Sequence, residues 1–183
     1  LSFGIQSSFG EVCEKENFCL HISLLCDQRK NVKRLIEASK KYHFSLILGG
    51  KLRNDEEEKL LYSWIDGADN IKYLGYLSDE EKLNLYKKAR VFALPSLNEG
   101  VGIVALEAAA LGCDIVITKL GGPHEYYVNM AKVVDPYNMD DIGKAVCELL
   151  NGETFQPQLA NFVTNSYSLD TVSKKLISTL QGL

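Results

Sequence analysis

The chain has 183 residues, of which 46% are hydrophobic and 24% charged, and its formal net charge is −4 at pH 7. This apolar content is enough for one substantial core and excludes a disordered chain, while the lack of a basic block excludes DNA or RNA as a partner. No apolar run reaches the length of about 18 residues that a membrane span needs, and the first residues do not resemble a signal peptide.

Short β-rich runs alternate with longer amphipathic runs, which is typical of βα units in a parallel sheet with helices on both faces. Six runs are predicted as strands: Phe18–Leu25, Phe44–Leu48, Ile71–Leu74, Val91–Leu94, Asp114–Thr118 and Lys132–Val134. Five helices are predicted between or after them: Asn31–Tyr42, Asn54–Gly67, a helix that begins at Ser78 with Leu83, Tyr86 and Ala89 inward, Ile103–Leu111 and Asp140–Leu150. We therefore predict an α/β fold, a Rossmann-like doubly wound parallel sheet of about six strands.

The two ends of the chain are predicted to lie outside this sheet. The chain begins at Leu1 rather than at a methionine, and residues 1–15 are expected to be a linker or strand that enters from an upstream segment. Residues 16–165 would form the sheet domain, with a linker-like stretch at Asn151–Gln158 that contains a glycine and a proline. Residues 166–183 are expected to form a C-terminal helix.

The segment after the fourth predicted strand carries the strongest chemical signal. It passes through Gly100 and Gly102 and enters a helix at Ile103. The first N–H groups of a helix have no partner within the helix and can bind an anion such as a phosphate. Glycines at such a turn also serve simply to make a tight connection, so the glycines by themselves leave both interpretations open.

Two glutamates accompany this turn. Glu107 lies inside the apolar run Val104–Ala110, where a carboxylate needs hydrogen-bond donors, either ligand hydroxyls or protein groups such as the backbone or a lysine. Glu99 lies eight residues earlier, an offset of at most about 12 Å along a helix. Two carboxylates at this separation could bind the sugar and the ribose of a nucleotide sugar, with the diphosphate over the helix start between them.

The string from Glu99 to Glu107 resembles the Glu-x7-Glu motif of retaining GT-B glycosyltransferases, most closely family four. Pro-Ser stands before the first glutamate, Gly-x-Gly follows it, and Gly121-Gly-Pro-His-Glu125 is similar to the family's Gly-Gly-x-x-Glu stretch. The runs that begin at Gln28 and Ile71 resemble the family's Lys-Asn helix opening and the strand before its base pocket. Both runs fall at carboxyl ends of predicted strands, where open α/β sheets bind ligands.

This resemblance implies the donor-binding, C-terminal half of a glycosyltransferase that moves a sugar from a nucleotide diphosphate sugar to an acceptor hydroxyl. Such enzymes often build capsule, lipopolysaccharide or other polysaccharides, with retention and without a metal or other cofactor. A glycan or lipid-linked acceptor would be bound by an N-terminal domain that this chain lacks and to which the helix 166–183 would return, so this half alone is expected to be inactive.

The five cysteines, odd in number and without Cys-x-x-Cys, favour a cytoplasmic location. The full-length protein is expected at the inner face of the membrane.

The resemblance also implies roles for individual residues. Lys30 and Glu99 would be catalytic. The Lys30 cation beside the departing diphosphate would stabilise charge that grows in the transition state, and Glu99 would bind the sugar. The substrate-binding residues would be Glu107 at the ribose, Gly100, Val101, Gly102 and Ile103 at phosphate or sugar, and Tyr76 and Leu77 near the base. Without the motif, Lys30 would be interpreted as a surface lysine of the basic run Arg29–Arg34, and Tyr76 equally as ordinary packing.

One position departs from the family pattern, because Leu25 stands where an arginine is expected five residues before Lys30. Arg29 could supply the second cation instead. The departure motivates an alternative, a non-catalytic nucleotide-sugar-binding module, whereas a nucleotide-sugar epimerase of the same architecture is disfavoured by the string around Glu99.

Metal-ligand spacings are not found in this sequence, because Asp and His never cluster, so no metal site is predicted. Of the three histidines, His21 is predicted to belong to the core and His43 to end a helix, and His124 is the one near the proposed site.

Overall fold

The computed structural model describes residues 14–168 and, beyond them, the single positions 171, 173 and 177. The entering segment 1–15 and the C-terminal helix 166–183 thus lie largely outside the described residues, and their predicted roles stay predictions.

Six strands of the described chain form one parallel sheet in the order β3-β2-β1-β4-β5-β6. They are β1 (Glu16–Ile22), β2 (Leu46–Gly49), β3 (Ile71–Tyr73), β4 (Ala89–Leu94), β5 (Asp114–Thr118) and β6 (Lys132–Val134). The strands are added in one direction from β1 to β3 and in the other from β4 to β6, so the carboxyl ends of β1 and β4 form the topological switch point where such sheets bind ligands. The predicted doubly wound sheet is confirmed.

The described helices are α1 (Val32–Tyr42), α2 (Asp55–Ile65), α3 (Asp79–Lys88), α4 (Ile103–Ala110), α5 (Met139–Leu150) and α6 (Gln158–Tyr167), with 3-10 turns at Gln28–Lys30 and Pro123–Tyr127. Several begin where the sequence supplies a cap. At α3 the Ser78 hydroxyl accepts from the Glu81 N–H, while the Glu81 carboxylate accepts from the Ser78 N–H, which closes a capping box. Asn54 and Asn138 cap α2 and α5 with their side-chain oxygens.

The sheet is covered on both faces, and each face has its own apolar core. Successive strand residues point to opposite faces. Cys19 and Val91 therefore join the core with α1 and α5, while Leu20 and Phe92 join the core with α4 and α6. Burial on both sides explains why the strands read as continuous apolar runs. None of the helices in the described part of the chain combines the length and the apolar character that crossing a membrane needs.

The limits of several elements and the inward face of one helix differ from the sequence-based expectation. The strand β1 ends at Ile22 rather than at Leu25, because the chain turns with a hydrogen bond from the Asp27 N–H to the Leu24 carbonyl, and Leu25 is buried in that turn. Leu83 of α3 was predicted to face the core but is 41% exposed. Ala89 ends up in β4 because it pairs with Glu16 of β1.

Candidate functional site

The carboxyl ends of β1 and β4 bring Lys30 and Glu99 together across a separation of 69 residues in the chain. The Lys30 Nζ lies 2.7 Å from Glu99 Oε2, and the Ser96 hydroxyl donates to the same oxygen at 3.2 Å. Only 22% of the Lys30 side chain and 14% of the Glu99 side chain are exposed. The two residues predicted to be catalytic therefore form one largely buried ion pair at the switch point.

The loops that carry this ion pair are bonded to each other. The Leu97 N–H donates to the Arg29 carbonyl at 2.7 Å. The side-chain amide of Asn31 donates to the carbonyls of Pro95 and Pro136, at 2.9 and 2.7 Å. The loops after β1, β4 and β6 are thus connected at the edge of the sheet where the ion pair lies.

His21 is fully buried at the end of β1 and connects this strand to β4. Its Nδ1 lies 2.7 Å from the Ala93 carbonyl oxygen and its Nε2 lies 2.7 Å from Ser23 Oγ. A carbonyl oxygen only accepts, so Nδ1 carries the proton and the Ser23 hydroxyl donates to Nε2. Burial lowers the pKa of His21 to about 4, so the ring is neutral at pH 7. The prediction that His21 belongs to the core is confirmed.

Two glycines let the surrounding backbone approach Glu99 closely. Gly102 precedes α4 with φ 69°, and a Cβ on it would lie 3.2 Å from Leu94 Cδ2 and 3.6 Å from Glu99 Cγ. Gly121 has φ 79°, and its Cβ would lie 2.5 Å from the Glu99 carbonyl oxygen. Both positions favour glycine for conformation, and Gly121 requires it for space as well. The turn that contains Gly100, Val101, Gly102 and Ile103 therefore leads from Glu99 into α4, at the start of a helix suited to an anion.

Glu107 lies half-buried on α4, opposite α3. The Tyr86 hydroxyl is 3.5 Å from Glu107 Oε2, which is long for a hydrogen bond. Burial raises the pKa of the Glu107 carboxyl above its ordinary value, against the opposing effects of Lys82 and Tyr86. The Lys82 ammonium itself lies 2.6 Å from a carboxylate oxygen of Asp79. Among the described residues, neither the backbone nor a lysine therefore provides the Glu107 carboxylate with a full set of hydrogen bonds.

Tyr76 lies on the rim of an open pocket of about 370 Å³ at the carboxyl ends of β2 and β3, with 73% of the residue exposed. Leu77 is buried and packs against Gly49, so its side chain belongs to the core. Lys51 and Tyr73 also line this pocket and were missed by the sequence reasoning. The rule that open parallel sheets bind ligands at the carboxyl ends of their strands could have found them, because Lys51 follows β2 and Tyr73 ends β3.

The positively charged residues around Lys30 depart from the pattern that the resemblance implies. Leu25, at the position of the expected arginine, is buried in the core. Arg29 is bound to Asp27 at 2.7 Å with 66% of its side chain exposed. A role for Arg29 at the diphosphate stays a prediction and would require it to leave Asp27. Within residues 14–168, no group of three or more His, Cys, Asp or Glu residues is placed to hold a metal ion.

The geometry defines a Rossmann-like domain with a cation and a carboxylate at its switch point. Its fold is similar to that of HepE of Anabaena, a structure described as a complex with UDP and glucose, with a TM-score of 0.77 at 20% identity over 91% of this chain and 49% of that chain. A model of the family described as glycosyl transferases group 1 matches residues 8–168. The chain belongs to this family, and the predicted GT-B fold is confirmed.

Two relatives are similar in sequence as well. An uncharacterised glycosyltransferase of Methanocaldococcus jannaschii is 31% identical over 179 residues, which are 91% of this chain and 45% of the relative. O-antigen chain mannosyltransferase B of Escherichia coli is 28% identical over 150 residues, which are 77% of this chain and 39% of that protein. The chain thus spans less than half the length of either relative.

Proposed function

We propose that this chain is the donor-binding half of a retaining glycosyltransferase that transfers a sugar from a nucleotide diphosphate sugar to an acceptor hydroxyl. The observation that carries the proposal is the Lys30–Glu99 ion pair at the switch point. An ammonium group suits a diphosphate, and a carboxylate suits the hydroxyls of a sugar. Family membership supports sugar transfer, and the UDP and glucose in the HepE structure support a nucleotide sugar as donor.

Donor binding in this proposal exchanges the partners of the ion pair. A diphosphate oxygen replaces Glu99 as the acceptor for the Lys30 ammonium, while sugar hydroxyls replace Lys30 as donors to the Glu99 carboxylate. Each buried charge keeps a partner through the exchange, which avoids the cost of an uncompensated charge. As the sugar leaves, negative charge grows on the diphosphate, and Lys30 with the N–H groups at the start of α4 stabilises that charge.

The nucleoside end of the donor would lie along α3 and the pocket beside it. Among the described residues, the Tyr86 hydroxyl makes one long contact with Glu107, and the Glu107 carboxylate would accept hydrogen bonds from the ribose hydroxyls. The pocket with Tyr73 and Tyr76 offers aromatic surface near the base. Gly100, Val101, Gly102 and Ile103 would contribute backbone contacts to phosphate or sugar, and Leu77 its backbone near the base.

The proposed chemistry needs no metal ion or other cofactor, because Lys30 and the helix start provide the positive charge. The acceptor, a glycan or lipid-linked molecule, would be bound by an N-terminal domain outside this chain, so this half alone is expected to bind donor and to transfer little sugar. The relative that builds O-antigen chains supports a role in capsule, lipopolysaccharide or other polysaccharide synthesis. Such a role places the full-length protein in the cytoplasm, at the inner face of the membrane.

A second candidate is a nucleotide-sugar-binding module without transfer activity. It is favoured by one observation: the position of the expected arginine is a buried leucine, Leu25, and the neighbouring Arg29 is held by Asp27. In that case Lys30 would be the one side-chain cation at the diphosphate, which suits binding better than cleavage of the sugar–phosphate bond.

Incubation of the complete gene product with a panel of labelled nucleotide sugars separates the two candidates. We expect hydrolysis or transfer with one donor, and a loss of about 100-fold in turnover for Glu99→Gln, because this change removes the carboxylate at the reacting sugar. Glu80→Gln, on the exposed side of α3, is the matched control and should turn over like the parent. Donor binding without hydrolysis or transfer to any acceptor would instead identify the non-catalytic module.

A further inference from the structure

Asn31 is a nearly buried amide at the centre of the loops that carry the ion pair. Only 7% of the residue is exposed. Its Nδ2 donates to the carbonyls of Pro95 and Pro136, and its Oδ1 accepts from the Arg34 guanidinium at 2.6 Å. Arg34 donates to the Pro136 carbonyl as well, at 3.1 Å. Both N–H groups and the oxygen of this amide are thus engaged inside the protein.

The backbone of Asn31 makes the turn that presents Lys30. It takes a left-handed conformation, with φ 58° and ψ 30°, between the 3-10 turn Gln28–Lys30 and the first residue of α1. Asparagine enters this region more readily than other residues with a side chain. Glycine would enter it at no cost but would supply no amide. An asparagine at this position therefore combines the turn with the three side-chain hydrogen bonds.

The partners of the amide are the loops that matter for the ion pair. Pro95 directly follows β4 and begins the loop that carries Ser96 and Glu99, whose side chains bond to each other. Pro136 lies in the loop between β6 and α5. One amide therefore holds the Lys30 loop against the Glu99 loop and fastens both to a third loop.

We propose that Asn31 is a positioning residue for the donor diphosphate. Its two side-chain N–H bonds fix the backbone of the Lys30 loop relative to the Glu99 loop, so that Lys30 exchanges Glu99 for a phosphate oxygen without moving its backbone. A catalytic group held in its productive geometry before the ligand arrives loses less entropy on binding. The inference rests on the proposed function, because it assumes that Lys30 binds the diphosphate.

Asn31→Gly tests the inference, since it keeps the left-handed turn and removes only the amide. The readout is the affinity for uridine and guanosine diphosphates compared with the affinity for the corresponding nucleosides. We expect about a tenfold loss for the diphosphate that the parent binds, because a mobile Lys30 loop weakens the charged hydrogen bond. Nucleoside affinity, which depends on Glu107 and the pocket, should change less than about twofold. Asn31→Asp should lose more, because it cannot donate to the two carbonyls and adds a negative charge near the phosphate.

Asn129→Gly is the matched control, because Asn129 is an exposed left-handed asparagine with φ 64° on another loop. It should bind both ligands like the parent, and thermal unfolding confirms that every variant compared is folded. The inference is overturned if Asn31→Gly binds the diphosphate like the parent, or if it loses diphosphate and nucleoside affinity equally. If Lys30→Ala binds the diphosphate as tightly as the parent does, or the parent binds none, the proposed function itself fails and this inference fails with it.

Discussion

The two glutamates of the site lie in different surroundings. Glu99 already has a cation and a hydroxyl on one of its oxygens, Lys30 at 2.7 Å and Ser96 at 3.2 Å. Glu107 has the Tyr86 hydroxyl at 3.5 Å, and burial raises the pKa of its carboxyl. A carboxylate away from water is costly without donors. The difference teaches that a ligand at Glu99 competes for an oxygen that already has two partners, whereas a ligand at Glu107 adds donors to a carboxylate that, among the described residues, has one long contact from Tyr86.

The largest predicted effect is on stability and concerns His21. Its buried ring joins β1 to β4, the two strands that lead to Lys30 and Glu99. Burial lowers the pKa of His21 from its ordinary value of 6.5 to about 4. Its contribution to stability is therefore complete above about pH 6.5 and is lost as the pH falls toward 4, by about 3 kcal/mol in total. In His21→Asn this part of the pH dependence should vanish, although the variant is less stable at pH 7.

Urea unfolding of the parent and of His21→Asn, at several pH values between 7 and 4, measures this effect as the difference between the two curves. His43→Asn, at the end of α1, is the control and should keep the loss of stability between pH 6.5 and pH 4 that the buried His21 ring causes. Parallel curves for the parent and His21→Asn would contradict the neutral, buried ring that we assign to His21.

A smaller effect on stability is expected at Glu107, where stability is lost as the pH rises rather than as it falls. Because burial raises the pKa of its carboxyl, the ionised form destabilises the fold once the pH exceeds the ordinary pKa of 4.5. Glu107→Gln should therefore be more stable than the parent at pH 7, and the gain should disappear near pH 4. Partial exposure limits the gain to less than about 1 kcal/mol, which is a rise of less than about 4 °C in Tm.

Thermal unfolding at pH 7 and pH 4 measures this gain. Glu99→Gln is the matched comparison and should lose stability at pH 7, because it removes the partner of the buried Lys30 ammonium. Changes in the same direction for the two variants at pH 7 would mean that the surroundings of the two glutamates do not differ as described.

The fold was predictable from the sequence because burial on both faces gives each strand a continuous apolar run. Only the limits of elements were misplaced. The apolar Leu24 and Leu25 extend the pattern of β1, but a turn at Asp27, with a hydrogen bond to the Leu24 carbonyl, ends the strand earlier. Apolar composition does not distinguish a buried strand residue from a buried turn residue.

For the candidate site, the sequence predicted that Lys30 and Glu99 belong together, but it did not predict their contacts or the pocket residues Lys51 and Tyr73. The motif pointed to both residues. Because each follows a strand of the predicted parallel sheet, they were expected at the same edge of that sheet. Their direct ion pair depends on side-chain conformations of residues 69 positions apart. The partners of Asn31 are backbone carbonyls at Pro95 and Pro136, and a carbonyl acceptor has no signature in a sequence. Tyr86 opposite Glu107 likewise follows from the packing of α3 against α4.

The most direct test of the proposed donor site compares Lys30→Ala and Glu107→Ala in the binding of uridine and guanosine diphosphates, by calorimetry, and of the nucleosides, by nuclear magnetic resonance titration. We predict that Lys30→Ala weakens diphosphate binding by about 10- to 100-fold and leaves nucleoside binding unchanged, because it removes one charged hydrogen bond of about 1.5–3 kcal/mol. Glu107→Ala should weaken both ligands, by about 1–3 kcal/mol. Lys33→Ala, exposed on α1, should bind like the parent. Unchanged diphosphate binding by Lys30→Ala, or unchanged nucleoside binding by Glu107→Ala, would contradict the assignment of the site.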